Sequence, residues 1–386
     1  MATENTRLFD PVRVGSSQLA HRIAMAPLTR YRASKDHVPS PLVADYYAQR
    51  AAIPGTLLIS EGTYISYRAG GYGYVPGLWS AEQLAAWKEI TDAVHAKKSK
   101  IWCQLWALGR VAKPVPGVEI TIVDEGYPYA EHLASSSPVP AGEGFDTPRE
   151  MSEEEIWRMV DDFAKAAKDA VEVAGFDGVE VHGAHGYLVD QFTQDTCNKR
   201  TDAWGGSVEN RSRFALEVCK AITAAIGPER VGIRLSPWAS VQGMRMDDPV
   251  PQFTHLIAGL SQLKLAYLHL VEPRAFEENP SPEENLEFAL KAWGKERPVI
   301  LAGGYTPDLA VQAVERFKDY DVIIAFGRRF ISTPDLVYRI KKGIEWEAYD
   351  RSTFYRGPAV ERNGLEKGYI DYPFSKELLA EFGGAV

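Results

Sequence analysis

The run Gly178-Val179-Glu180-Val181-His182-Gly183-Ala184-His185-Gly186-Tyr187 opens as a short, mostly apolar strand and ends in two imidazoles and a phenol. A strand that is apolar along nearly its whole length suits a parallel sheet covered on both faces. Seven more runs share this character: Ile23–Ala26, Thr56–Ser60, Lys100–Leu105, Val231–Leu235, Tyr267–Val271, Val299–Ala302 and Val322–Phe326. Between them lie segments with helical period. Ser80-Ala81-Glu82-Gln83 and Ser152-Glu153-Glu154-Glu155 read as capping boxes, Thr306-Pro307 and Thr333-Pro334 as N-caps before a first-turn proline. Phe214, Val218, Ala221, Ile222 and Ala225 form an apolar stripe ended by Gly227-Pro228. Eight strands each followed by a helix predict an α/β fold, a single closed (β/α)8 TIM barrel spanning residues 1–386.

A minimal barrel needs about 250 residues, and this chain has 386. The excess falls in an N-terminal extension before Ile23, expected to cap the barrel near its mouth, and in two long loops. One, about 111–151, carries prolines at 114, 116, 128, 138, 140 and 148 and reads as a lid-like excursion; the other runs from Glu272 to Glu284. Composition excludes several classes. Hydrophobic residues make up 45% and charged residues 25%, enough apolar surface for a large core. The formal charge of −9, without a Lys/Arg-rich run, argues against nucleic acid or an anionic membrane as partner and favours a small molecule. No signal-peptide pattern opens the chain and no apolar stretch approaches the about 20 residues of a membrane span, so a cytoplasmic protein is expected. Cys103, Cys197 and Cys219 are scattered, which suggests reduced thiols and no metal or iron–sulfur site.

Barrel chemistry sits at the C-terminal strand ends. Here these ends are polar: Pro27-Leu28-Thr29-Arg30, Gln104-Leu105-Trp106, His182 to Tyr187, Arg234-Leu235-Ser236-Pro237, Ala302-Gly303-Gly304 and Phe326-Gly327-Arg328. The last two match a barrel phosphate site, in which glycines let backbone N–H groups approach the anion and an arginine gives a forked donor. His182 and His185 could share a metal ion or satisfy buried hydrogen bonds. The reading preferred here makes them N–H donors to one substrate oxygen, with Tyr187, protonated at neutral pH, as general acid.

Taken together, these motifs resemble the Old Yellow Enzyme family of flavoproteins. The resemblance runs from Leu8-Phe9-Asp10-Pro11 and Arg22 to Arg30 through Trp102 to Trp106, Asp177 to His182, Arg200-Thr201-Asp202, Gly205-Gly206-Ser207, Glu209-Asn210-Arg211, Gly232 to Pro237 and Leu270 to Arg274, and on to Gly327-Arg328, Pro334-Asp335-Leu336 and Thr353-Phe354-Tyr355. It implies a barrel with noncovalent FMN that reduces enones, enals or nitroalkenes with electrons from NADPH or NADH, as a monomer or homodimer. Carried over, Thr29 would bond the flavin near its reactive edge, Gln104 would hold the pyrimidine edge, and Arg234 would lie near N1 and the C2 carbonyl. Pro27 and Gly62 would be backbone neighbours of the ring. Gly303, Gly304, Gly327 and Arg328 would hold the phosphate. His182 and His185 would bind the substrate oxygen, Tyr187 would protonate Cα, and Trp106 and Tyr355 would shape the substrate pocket.

Several relatives carry asparagine where this chain has His185, and the His/His pair is similar to that of the plant oxophytodienoate reductases. Some fungal ergot-pathway isomerases replace the tyrosine with phenylalanine, so Tyr187 favours net reduction. With no Gly-x-Gly-x-x-Gly after any strand, the nicotinamide is expected to bind transiently over the flavin, in a ping-pong cycle. The rival readings are a flavin-free, phosphate-binding barrel lyase or isomerase, and a nonenzymatic flavin-binding protein. The first would want a strand-end lysine or carboxylate pair, and the strand ends supply neither clearly.

Overall fold

The computed structural model describes residues 6–115, 122–275, 281–356 and 364–383. Parts of both long loops, 116–121 and 276–280, lie outside the described residues, as do residues 1–5 of the N-terminal reading. Eight parallel strands follow in sequence order: Ile23–Met25, Leu57–Ile59, Lys100–Trp106, Gly178–Gly183, Val231–Leu235, Tyr267–Val271, Val299–Ala302 and Val322–Phe326. The eighth pairs with the first, Phe326 opposite Met25, and closes the barrel. Each expected apolar run holds one of these strands.

Strand alternation divides the core. Ala24, Leu57, Ile59, Trp102, Tyr267, Ile300 and Ile323 fill the interior, while Ile23, Leu58, Cys103, Val179, Ile233, Leu268 and Leu301 belong to the layer that also holds helix residues such as Trp87, Phe163 and Phe214. The interior pairs large residues with glycine. Trp102 stands beside Gly178 and Tyr267 beside Gly232. A Cβ at Gly178 would lie 2.7 Å from the Trp102 ring, and one at Gly232 2.4 Å from Tyr267 Cζ. These glycines leave room for the two rings, whose centroids are 5.0 Å apart.

Both capping boxes form, at Ser80 with Gln83 before helix Ala81–Ala96 and at Ser152 with Glu155 before helix Glu153–Glu172. Thr306 caps Pro307–Arg316, and Gly227 ends Val208–Ile226. Thr333-Pro334 does not open a helix as expected. The helix starts at Leu336 after Asp335, and the Thr333 hydroxyl instead accepts from the Glu347 backbone N–H.

The N-terminal extension also departs from expectation. Val12–Val14 and Ser17–Leu19 form an antiparallel hairpin, whose Val12, Val14 and Leu19 join the interior cluster. Gly15 at its turn abuts Glu229 and Ala266, which lie just before strands five and six. The hairpin therefore plugs the bottom of the barrel rather than its mouth. The described part of the 111–151 excursion does reach the mouth, where Val111, Ala112, Leu133 and Ala141 pack in one cluster with Tyr31, Trp106 and Tyr187. Among the described residues no helix is long and apolar enough to cross a membrane, and Cys103, Cys197 and Cys219 are buried and unbridged.

Candidate active site

A cavity opens at the C-terminal strand ends. Pro27, Thr29, Gln104, Trp106, His182, His185, Tyr187, Arg234, Arg328 and Tyr355, all singled out from the sequence, line it. Leu28, Tyr31, Ile331, Arg351 and Phe354 complete the wall. Gly62, Gly303, Gly304 and Gly327 are not part of this wall. Gly62 lies behind it, where a Cβ would come within 2.6 Å of Trp106 Cε3. Gly62→Ala should force the indole to shift, with an overpacking cost of about 1–3 kcal/mol readable in thermal melts; an unchanged melting point would show that the indole moves freely.

The turn after strand four is held from several sides. His185 has φ +59° and Gly186 φ +79°, a left-handed pair that costs free energy at the non-glycine position. The His185 N–H donates to Ser236 Oγ at 2.8 Å, and the Gly186 N–H to Asp190 Oδ2 at 2.8 Å. Gln191 Nε2 donates to the Gly186 carbonyl at 2.7 Å. Burial pushes the Asp190 carboxyl up to about 7. Tyr187 then sits just ahead of the short helix Leu188–Thr193.

Four rings converge above this turn. The centroid of His182 is 4.9 Å from that of Tyr187, 5.6 Å from that of His185 and 6.1 Å from that of Trp106. Burial holds both imidazoles well below their ordinary range, with the nearby Arg234 charge adding to the effect. Both are therefore neutral, each with a single N–H. His182 Nδ1 accepts from the Ala184 N–H at 3.4 Å, which leaves the proton on Nε2. Burial raises the Tyr187 phenol, so it keeps its proton.

Beneath the rings lies a carboxylate with no assigned role in the sequence reading. Glu180 is fully buried; its Oε1 accepts from Gln104 Nε2 at 2.8 Å, and its Oε2 from Tyr267 Oη at 3.0 Å and His269 Nδ1 at 2.8 Å. Burial pushes its pKa up, but His269, Arg234 and Gln104 outweigh this and hold it below the usual carboxylate value. Arg234 stands in register with His182 on one side and His269 on the other. Burial lowers its pKa, against the pull of Glu180. A second hidden carboxyl, Glu61, is pushed up to about 7 by burial and accepts the Arg30 backbone N–H at 3.2 Å, which fixes the segment from Pro27 to Arg30. Arg30 in turn donates to the Phe354 and Gly368 carbonyls at 3.1 and 2.7 Å, and so brings Phe354 and Tyr355 to the mouth.

The site suits a planar ligand with an anionic tail. Arg234 Nε and Trp106 Nε1 are buried without a partner. Gln104 spends its amide N–H on Glu180, which leaves its oxygen as an acceptor. Gly303 and Gly304 follow strand seven with φ +140° and +62°, and the nearest atom to a Cβ at Gly304 would be 4.0 Å away. Strand eight, paired alongside, leads into Gly327 and the exposed Arg328. These features fit FMN: pocket polar atoms await a heterocycle, and two adjacent strand ends offer backbone N–H groups and a guanidinium to a phosphate.

A β/α barrel with this mouth is the architecture of a flavin-dependent oxidoreductase. The chain belongs to the NADH:flavin oxidoreductase / NADH oxidase family, whose model matches residues 7–347, and is thus a member of the Old Yellow Enzyme group of FMN-type oxidoreductases. It is 54% identical over 375 residues to a chanoclavine-I aldehyde reductase of Penicillium roqueforti, covering 97% of this chain and 98% of the relative. A "probable inactive reductase" of Epichloe festucae var. lolii is 48% identical, over 99% of this chain and 98% of its own. Among solved structures, the old yellow enzyme homologue from Zymomonas mobilis superposes with a TM-score of 0.83 at 37% identity, covering 95% of this chain and 99% of that one. A morphinone reductase variant in complex with tetrahydroNAD gives 0.84 at 39% identity, covering 96% and 98%.

Proposed function

We propose that this chain is an ene-reductase that uses NADPH or NADH to reduce the activated C=C bond of an enal, enone or nitroalkene. The observation that carries the reading is the convergence of two neutral imidazoles and a protonated phenol on one cavity beside the buried Arg234. Bound FMN would supply hydride exchange, taking hydride from the nicotinamide and giving it to the substrate β-carbon. Thr29, Gln104 and Arg234 would hold its ring, with the Pro27 backbone beside it and Gly62 behind Trp106, and Gly303, Gly304, Gly327 and Arg328 would hold its phosphate. His182 and His185 would each donate one N–H to the carbonyl or nitro oxygen and so draw electron density from the alkene. At Tyr187 the O–H bond breaks as the Cα–H bond forms, and solvent restores the phenol. Trp106 and Tyr355 would shape the substrate pocket. The naming of relatives as aldehyde reductases supports an unsaturated aldehyde as substrate.

The purified protein should be yellow and release FMN on denaturation; a colourless, catalytically competent preparation would return the reading to the flavin-free lyase. NADPH and NADH oxidation with and without cyclohexenone then separates an enzyme from a flavin carrier. Replacing either histidine by alanine should weaken phenol binding with its long-wavelength charge-transfer band, and slow alkene reduction by about tenfold to a hundredfold. An unchanged phenol titration would remove that histidine from the oxygen site.

A further inference from the structure

The loop after strand five carries a glutamine whose placement is unusual. Gln242 adopts φ +57° and ψ +35°, a left-handed conformation, and is followed by Gly243 at φ +69°. Its side chain lies against the turn that carries Tyr187: a Cβ at Gly186 would be 3.0 Å from Gln242 Cβ and 3.4 Å from its Oε1. That oxygen is buried without a partner, and the amide acts on the nearby Tyr187 phenol, opposing the rise that burial causes. The backbone is clamped by the buried Arg110, whose Nη2 donates to the Gln242 carbonyl at 2.7 Å. Arg110 Nη1 reaches Val139 and Pro140 in the excursion at 3.2 and 3.3 Å.

A phenol oxygen that accepts an N–H must point its own O–H elsewhere, and the space left to Tyr187 is the cavity. The same N–H offsets negative charge on the oxygen once the proton has gone, which matters in a pocket where burial opposes the phenolate. We propose that Gln242 is a positioning residue for Tyr187: its amide aims the phenol O–H at the substrate α-carbon and steadies the oxygen during transfer. Arg110 keeps Gln242 in place and ties it to the excursion. The proposal deepens the reading of Tyr187 as proton source and rests on it.

The test is anaerobic stopped-flow on the FMN-loaded full chain, with cyclohexenone as acceptor. Gln242→Met keeps the length of the side chain and removes the amide. It should slow flavin reoxidation about tenfold, the worth of one good hydrogen bond, with little change in KM, a larger solvent deuterium isotope effect, and unchanged melting temperature and FMN content. Gln242→Asn, which retains a donor, should recover part of the rate. Added to Tyr187→Phe, Gln242→Met should produce no further loss. A wild-type reoxidation rate in Gln242→Met beside a slow Tyr187→Phe overturns the proposal and leaves the proton-source reading standing. Multiplicative losses in the double variant also overturn it, as does a rate loss that Asn does not rescue. A wild-type rate in Tyr187→Phe instead removes the reading beneath it.

Discussion

Tyr187→Phe is expected to slow the alkene-reducing half-reaction by about 10²- to 10⁴-fold, the range of a lost general acid. Reduction of the protein by NADPH should stay close to wild type. The split follows from where the proton is needed. Nicotinamide oxidation releases no charge that the phenol must neutralise, whereas hydride addition to Cβ leaves a carbanion-like Cα that must be protonated. The ring itself is retained by phenylalanine, so its packing at 4.9 Å against Trp106 and His182 persists. Only the hydroxyl and its interaction with Gln242 are lost. Single-turnover traces of the two half-reactions decide the matter: equal slowing of both would point to disturbed cofactor binding and would remove Tyr187 as proton source.

Barrel and mouth were legible because they rest on local pattern. Each β-branched run is itself a strand, and a barrel exposes whatever closes the run, so His182, Arg234 and Gln104 could be placed from position alone. What escaped is long-range or hidden. Arg30 meets the Phe354 carbonyl across 324 positions, and no periodicity links the two. Tyr31, buried and with φ +57°, reads in sequence as one more aromatic after a turn. The strands of the N-terminal hairpin carry exposed Arg13 and Gln18 at their centres and so lack the continuous apolar run that marks the barrel strands. Glu180 carries its own signal: a lone carboxylate midway along an apolar strand demands buried partners, and Gln104 of strand three and Tyr267 and His269 of strand six supply them across the barrel interior.

That carboxylate should also be the costliest side chain to neutralise. Glu180→Gln keeps the shape but removes the charge facing Arg234 and leaves a single oxygen to accept from Gln104, Tyr267 and His269. Glu180 and Arg234 make no direct ion pair, but each feels the other's charge in the dry barrel interior, so neutralising one leaves the other uncompensated at a cost of up to about 3–5 kcal/mol. Arg234 cannot shed its proton to escape, although burial lowers its pKa. The denaturant midpoint of Glu180→Gln should therefore fall well below that of wild type. The Arg234→Met variant, which strands Glu180 instead, should be destabilised too, and the double variant should lose clearly less than the sum of the two. The pH sign is fixed by the depressed folded pKa of Glu180. Its charge stabilises the fold above the unfolded carboxylate value of about 4.3 and loses that effect as pH falls through the lower folded value, so wild type and Glu180→Gln should converge in acid. A loss under about 1 kcal/mol at neutral pH, or additive losses in the double variant, would mean that water reaches the barrel floor and that Arg234 draws its balancing charge from elsewhere.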